Sequence, residues 1–525
     1  MALRGPNTEV VELGGRLLLP GFNDAHTHLG NAALWVSKVG LYDATSERAV
    51  LDAVAKAAAR VPAGLWITGG DIGAASAWDT DAAAKPRPAP MAIDRRALDT
   101  VTTEHPVLLR RVDGAYVANS LAIARARVDE LMPDVRGGRK ERGPDGELNG
   151  VFHGRAGERF VELVPPANLA RTLAGARVAL ADLAAVGITS IHDIARLDEA
   201  SERRLFHTDV ERSLTPLSLI RELQARDELT VRVYALLSLP AWRETVSRGI
   251  TPRTDEGMIR YGAMKAFIDG FLMEEPYLNA PGFKGDLTFR FVDEQTMAAD
   301  IAGADAAGFD LAIHTIGDRA HRMLLDWYEA AIRANGPRER RFRVIHAWYP
   351  SAREVERIGR LGLLADITPQ QLVNDLRTVD AKLGPQRAKT AHAWRSLREA
   401  GAKLDIVSDW PGSYNEQRAT PLAPLENIAL AMTRADTDGV PAGGWHPREA
   451  FTVEEAIAAY TATPAYASYE EDRKGTLTMG KLADLVVLSR DILRATPAEI
   501  RATRVDLTVL GGRVVHPAKE LSRSR

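Results

Sequence analysis

Two histidines, His26 and His28, stand two residues apart at the end of an apolar run, 17–28. Side chains of an extended strand alternate with period two, so both imidazoles face one side and their nitrogens can share a metal ion. The same spacing fits a hydrogen-bonded core pair, and the motif needs structural context before it carries chemistry. That context comes from polar residues that end other apolar runs: His314 after Ala312-Ile313, His346 after Val344-Ile345, and Asp409 after Val407-Ser408. Four imidazoles at strand ends suit zinc or a similar borderline metal. Asp409 fits the cap of a following helix. At a metal site it would also bind the ion and take a proton from bound water, which the ion acidifies to a pKa of about 7.

Lys265, in Met264-Lys265-Ala266-Phe267, is the least ordinary of the set. Burying a lysine inside a strand is costly unless its charge is removed or paired. A free amine titrates near ~10.4 and must be depressed before it reacts. Once neutral it can add carbon dioxide, and the resulting carbamate can bridge two cations through its two oxygens. An ion pair with Asp269 or another acidic neighbour fits the position equally. His192-Asp193 reads either as an orienting pair for a ligand or as a core hydrogen bond. Trp410-Pro411 reads as a pocket wall or as a simple turn.

Such residues need a frame that brings distant strand ends together. Runs rich in β-branched residues cover 17–28, 187–194, 230–237, 260–269, 309–315, 342–347, 363–368 and 403–409, and they alternate with stretches of helical spacing such as Leu173, Leu180 and Leu183. This alternation predicts an α/β chain folded as a (β/α)8 TIM-like barrel over residues 17–470, with its active site at the C-terminal ends of the strands. The first two runs are separated by about 160 residues, more than a βα connection requires. An inserted subdomain over about residues 60–165 is therefore expected at the barrel mouth, as a lid or a source of substrate contacts. Within it 65–70 and 107–112 read as strands and 137–150 as a charged, glycine-rich loop. At the two chain ends, 1–16 and 471–525, the stretches 9–19, 475–488 and 505–516 read as short strands joined by glycine turns that pair into a small β-sandwich domain.

Composition narrows the function classes. With 67 Lys and Arg against 70 Asp and Glu, the net charge of -3 leaves no basic surplus for general nucleic-acid binding. The basic run 338–341 reads as a solvated helix end. The chain has no cysteine, which excludes disulfides, thiol nucleophiles and cysteine-ligated zinc. No apolar run approaches the ~20 residues of a bilayer span, so no membrane partner and a cytoplasmic location are expected.

With these residues in place, the chain resembles the amidohydrolase superfamily, in the branch that includes N-substituted formamide deformylases. The resemblance rests on Leu19-Pro20-Gly21-Phe22-Asn23-Asp24-Ala25-His26-Thr27-His28, on Met264-Lys265-Ala266-Phe267-Ile268-Asp269-Gly270 and on His314-Thr315-Ile316-Gly317-Asp318-Arg319-Ala320. It continues through Ile345-His346-Ala347, Ser408-Asp409-Trp410-Pro411 and Gly480-Lys481-Leu482-Ala483-Asp484-Leu485. It implies a centre of two divalent ions in which His26, His28 and Asp409 hold one metal, His314 and His346 hold the other, and carboxylated Lys265 bridges them. It further implies that a bridging hydroxide attacks a small-molecule amide while Asp409 passes the proton to the departing amine.

The chain departs from that family's pattern at two places that would touch substrate. Asp113-Gly114 is followed by Ala115-Tyr116 where relatives commonly carry histidine, and 271–275 reads Phe-Leu-Met-Glu-Glu where relatives show a small polar run. Asp113, Tyr116 and Trp410 are accordingly the expected substrate contacts. Two other readings compete: a mononuclear aminohydrolase that deaminates a ring and does not need Lys265, and a non-catalytic scaffold, which would not need its ligand positions filled. A homo-oligomer is compatible with the sequence and not specified by it.

Overall fold

A computed structural model describes residues 5, 8, 10–41, 44, 46–72, 91–111, 113–133, 136–165, 168–195, 215–269, 293–376, 379–412, 422–517 and 523–524. The expected contrast at 271–275 lies outside them, as does Val112.

Eight parallel strands form the barrel: β1 (Phe22–Thr27), β2 (Ile188–Ile194), β3 (Arg232–Ser238), β4 (Ile259–Phe267), β5 (Asp310–Thr315), β6 (Arg343–His346), β7 (Leu364–Ile367) and β8 (Lys403–Ile406). They neighbour one another in chain order, as in a (β/α)8 barrel. A parallel bridge between Thr27 and Trp410 closes the ring. On the closing seam the Asp409 N–H donates to the His26 carbonyl at 3.0 Å and the His28 N–H to the Trp410 carbonyl at 2.8 Å. The seam that shuts the barrel is thus also the seam that carries His26, His28 and Asp409.

Side-chain parity separates two apolar layers. Val233, Ala235, Met264, Leu311, Ile313 and Val344 belong to the main core between strands and helices. Residues of the opposite parity, Ile194, Tyr234, Leu236, Ala263, Ala312 and Ile345, form a separate cluster that plugs the barrel interior. Lys265 shares the parity of Ala263 and His314 that of Ala312, so the pleat alone aims both above this plug.

The apolar run 17–28 is two strands, not one. Leu17–Pro20 pairs with Leu485–Leu488 in a four-stranded antiparallel sheet completed by Val505–Leu510 and Arg513–His516, while Phe22–Thr27 enters the barrel. Gly21 is the crossing point, where an added Cβ would lie 2.2 Å from the Thr189 Oγ1. Val10–Val11 pairs with Arg523–Ser524, again joining the two chain ends.

Between β1 and β2, the segments Lys38–Gly40, Ile67–Ile72, Val107–Arg111, Tyr116–Ala118, Leu148–Gly154 and Gly138–Arg142 line up, in that order, as a six-stranded mixed sheet with its own apolar clusters. The stretch 137–150, expected as a loop, is largely a β-hairpin. Gly138–Arg142 is an edge strand with charged residues on both faces, so it lacks the alternating pattern that marks a half-buried strand. The basic run 338–341 also differs from expectation. Arg338 and Arg340 both bond the buried Asp305, and Arg341 stacks on Tyr466 and Tyr469 while pairing with Glu339 and Glu471. The run clamps the approach to β6 against the C-terminal helices.

Candidate metal centre

His26, His28 and Asp409 meet with ligand atoms all within 4.8 Å of one another, and all three are buried. Asp409 Oδ1 lies 3.0 Å from His28 Nε2 and 3.2 Å from His26 Nε2. The second pair of imidazoles adjoins them: His346 is 5.5 Å from His26 and 4.5 Å from His314, ring centre to ring centre. Lys265, 1% exposed, completes the group, with its Nζ 4.4 Å from the centre of the Phe267 ring, which in turn packs on His314. The six residues expected at the site therefore converge at the C-terminal ends of β1, β4, β5, β6 and β8.

Two of them need special backbone. His346 has the parity of Val344 and would point outward by the pleat, toward the helices. Left-handed torsions at His346 (φ 73°) and Ala347 (φ 49°) turn it inward onto His314. Asp409 is likewise left-handed, at φ 57°. Each such residue costs about 1–3 kcal/mol and persists only where the surroundings impose it.

Electrostatics favours ligation. Burial, helped by the nearby Lys265 charge, holds His26 well below the ordinary imidazole range, against the pull of Asp409. Burial does the same to His314, reinforced by His346 and Lys265, and takes His346 down to about 3. Neutral imidazoles are the form that binds metal. Burial alone would raise Asp409, but hydrogen bonds from His26 and His28 outweigh it and hold the carboxyl well below the usual carboxylate range. The Nδ1 atoms of His26 and His346 are buried without a hydrogen-bond partner. An ionised carboxylate among neutral, inward-facing imidazoles is a donor set that fits a divalent cation.

Several further residues support these six. Asp24 Oδ1 accepts from the His26 N–H at 3.2 Å and the Ser408 N–H at 3.1 Å, tying β1 to β8; burial pushes its pKa up to about 7 against those bonds. Asp193, one of the two residues expected either to orient a ligand or to bond in the core, accepts from the Thr27 hydroxyl and the Leu29 N–H, and so fixes the chain on both sides of His28. Its neighbour His192 instead accepts from Arg343 at 2.9 Å beneath the site. Asp269 accepts from the Ile316 and Gly317 N–H groups, with its Oδ1 4.0 Å from His314 Nε2. Gln371, in the short helix Pro369–Asp375 after β7, donates to Asp409 Oδ2 at 3.1 Å.

Of the expected substrate contacts, two lie in the inserted sheet and one on the closing seam of the barrel. Asp113 accepts from Arg111 at 2.8 Å in the tight hairpin that leads to Tyr116, in the inserted sheet. Trp410 lies on the β1–β8 seam, half-buried, directly after Asp409. Among the described residues no helix is long and apolar enough to cross a membrane.

A barrel with histidines and an aspartate gathered at its strand ends defines a class, the metal-dependent hydrolase barrels. Residues 9–516 match the Amidohydrolase family, and the chain belongs to it. It is 30% identical to Protein LONG AFTER FAR-RED 3 of Arabidopsis thaliana, over 98% of this chain and 84% of that protein. It is 27% identical to the N-substituted formamide deformylase of Arthrobacter pascens, over 97% of this chain and 90% of that protein. Among solved structures, an uncharacterized metal-dependent hydrolase from Pyrococcus horikoshii OT3 shares the fold with a TM-score of 0.62 at 20% identity, over 92% of this chain and 88% of that one.

Proposed function

We propose that this chain hydrolyses a carbon–nitrogen bond other than a peptide bond, in a small N-acyl, N-formyl or cyclic amide, at a centre of two divalent ions such as zinc. The observation that carries the reading is the convergence of His26, His28 and Asp409 within 4.8 Å, with His346 and His314 in ring contact beside them. His26, His28 and Asp409 would hold one ion, His314 and His346 the other, and Lys265, as its carbamate, would lie between. Ions bound there supply an acidified water and a polarised carbonyl.

Asp409, ionised and inward-facing, takes the proton that the attacking water gives up and returns it to the departing nitrogen. Phe267 and Trp348 wall the imidazoles and exclude bulk water. Asp113, Tyr116 and Trp410 are the proposed substrate contacts, and the formamide named for the Arthrobacter relative is one member of the amide class.

A second reading, a mononuclear aminohydrolase, draws on the tightness of the His26, His28 and Asp409 set, which suffices for one ion. Lys265→Ala separates the two. On the first reading this variant loses hydrolysis of every amide that the native protein accepts from a panel of N-acyl, N-formyl and cyclic substrates, and it binds less metal. Full activity and full metal content in the variant would refute the bridging lysine.

A further inference from the structure

Strand β7 supplies none of the six ligands proposed above, yet the helix after it reaches the centre. We infer that Gln371 is a positioning residue that fixes the orientation of the Asp409 carboxylate, an inference that rests on the metal reading above. The two Asp409 oxygens have different neighbours: Oδ1 faces His28 and His26, at 3.0 and 3.2 Å, and Oδ2 accepts from Gln371 Nε2 at 3.1 Å. A carboxylate at the end of a short side chain can rotate about its terminal torsion; a donor on one oxygen removes that freedom and leaves the other oxygen aimed at the imidazoles.

The helix that carries Gln371 is held at both ends. The Gln370 N–H donates to Asn427 Oδ1 at 3.1 Å and the Trp348 indole N–H to Thr368 Oγ1 at 3.0 Å, which pins the start of the helix. At its end Asp375 Oδ2 accepts from the Tyr349 hydroxyl at 2.6 Å and contacts His392 Nε2 at 2.7 Å. Trp348 and Tyr349 follow His346 by two and three residues, so the connection after β6 and the helix after β7 are stapled together on either side of Gln371. Gln371 is 7% exposed, which shields its bond to Asp409 from competing water.

The test is zinc affinity, read by chelator competition on the full-length, metal-stripped protein, together with the visible spectrum of the cobalt-loaded form. Gln371→Met keeps the length and removes the donor; Gln371→Asn keeps the amide and withdraws it by one methylene. Both variants are expected to keep the native melting temperature of the stripped protein, to bind zinc at least about 10-fold more weakly and to change the cobalt spectrum. If Met at this position lowers the melting temperature, the Asn variant carries the same readouts. Native affinity and an unchanged cobalt spectrum in both variants would overturn the role of Gln371 while leaving the metal centre standing. A native protein that binds no zinc or cobalt would instead remove the metal reading, and this inference with it.

Discussion

Arg343 offers a sharp test of how the barrel interior supports the site. It is fully buried, donates to Asp366 through Nε at 3.1 Å and Nη2 at 2.5 Å, to the Ala25 carbonyl at 2.5 Å and to His192 Nδ1 at 2.9 Å. Arg343→Met would strand Asp366 as a buried carboxylate with no cation on it, and breaking a buried pair from one side costs about 3–5 kcal/mol. The two orphaned acceptors add to that loss at roughly 1 kcal/mol each. Arg343→Met with Asp366→Leu removes the stranded charge and is expected to recover most of the deficit, because a buried pair replaced by well-packed apolar groups is often near neutral. Equilibrium urea unfolding of the metal-stripped protein at neutral pH measures both. Since Ala25 precedes His26, the single variant should also bind metal less tightly. A single-variant cost below ~1 kcal/mol, or a double variant no more stable than the single, would refute this view of the interior.

Two further predictions concern the same barrel. Burial, and then the neighbouring Asp366, push the Asp405 carboxyl well above its ordinary range, and neither of its oxygens has a hydrogen-bond partner. An acid whose folded pKa exceeds its unfolded one keeps its proton in the fold while the unfolded chain loses it, so stability falls as pH rises from about 4 toward the folded value, by ~1.4 kcal/mol per pH unit. Asp405→Asn should flatten this slope and be the more stable protein at pH 8 in urea titrations at several pH values; parallel pH profiles for the two proteins would contradict the assignment. Gly21→Ala should destabilise by about 1–3 kcal/mol, because its Cβ would sit 2.2 Å from Thr189 Oγ1 and 2.3 Å from Thr189 Cγ2. Adding Thr189→Ala removes both contacts and should raise the melting temperature again, whereas no recovery would place the strain elsewhere.

The parts of the site that were legible in the sequence are those that follow the pleat. Lys265 and His314 sit where strand parity sends them, Lys265 within and His314 at the end of a run whose apolar residues mark it as buried. His346 was found only because it ends such a run; its inward aim comes from left-handed torsions that leave no trace in residue type, since neither histidine nor alanine advertises a positive φ. Gln371 was missed because the seventh run is short and a glutamine after it resembles any solvated helix start. Asp193 carried two readings, and only the fold shows that its acceptors serve the backbone around His28. The change of sheets was half legible, since 9–19 reads as a strand of the small β domain and 17–28 as a barrel run, but the crossing at Gly21 is distinguished only by what lies against it. The charged hairpin of 138–154 and the arginine clamp at 338–341 escaped for a related reason: an edge strand and a stacked guanidinium both look solvated until their partners are in place.

The proposed centre holds two divalent ions joined by a modified Lys265. Metal analysis of the native, carefully desalted protein by mass spectrometry, with a crystal structure of the metal-loaded protein to show the carbamate, is the decisive measurement. Two equivalents of divalent metal per chain and a carboxylated Lys265 are the predicted result. One tightly bound ion per chain with an unmodified Lys265 would contradict it and leave the mononuclear reading in its place.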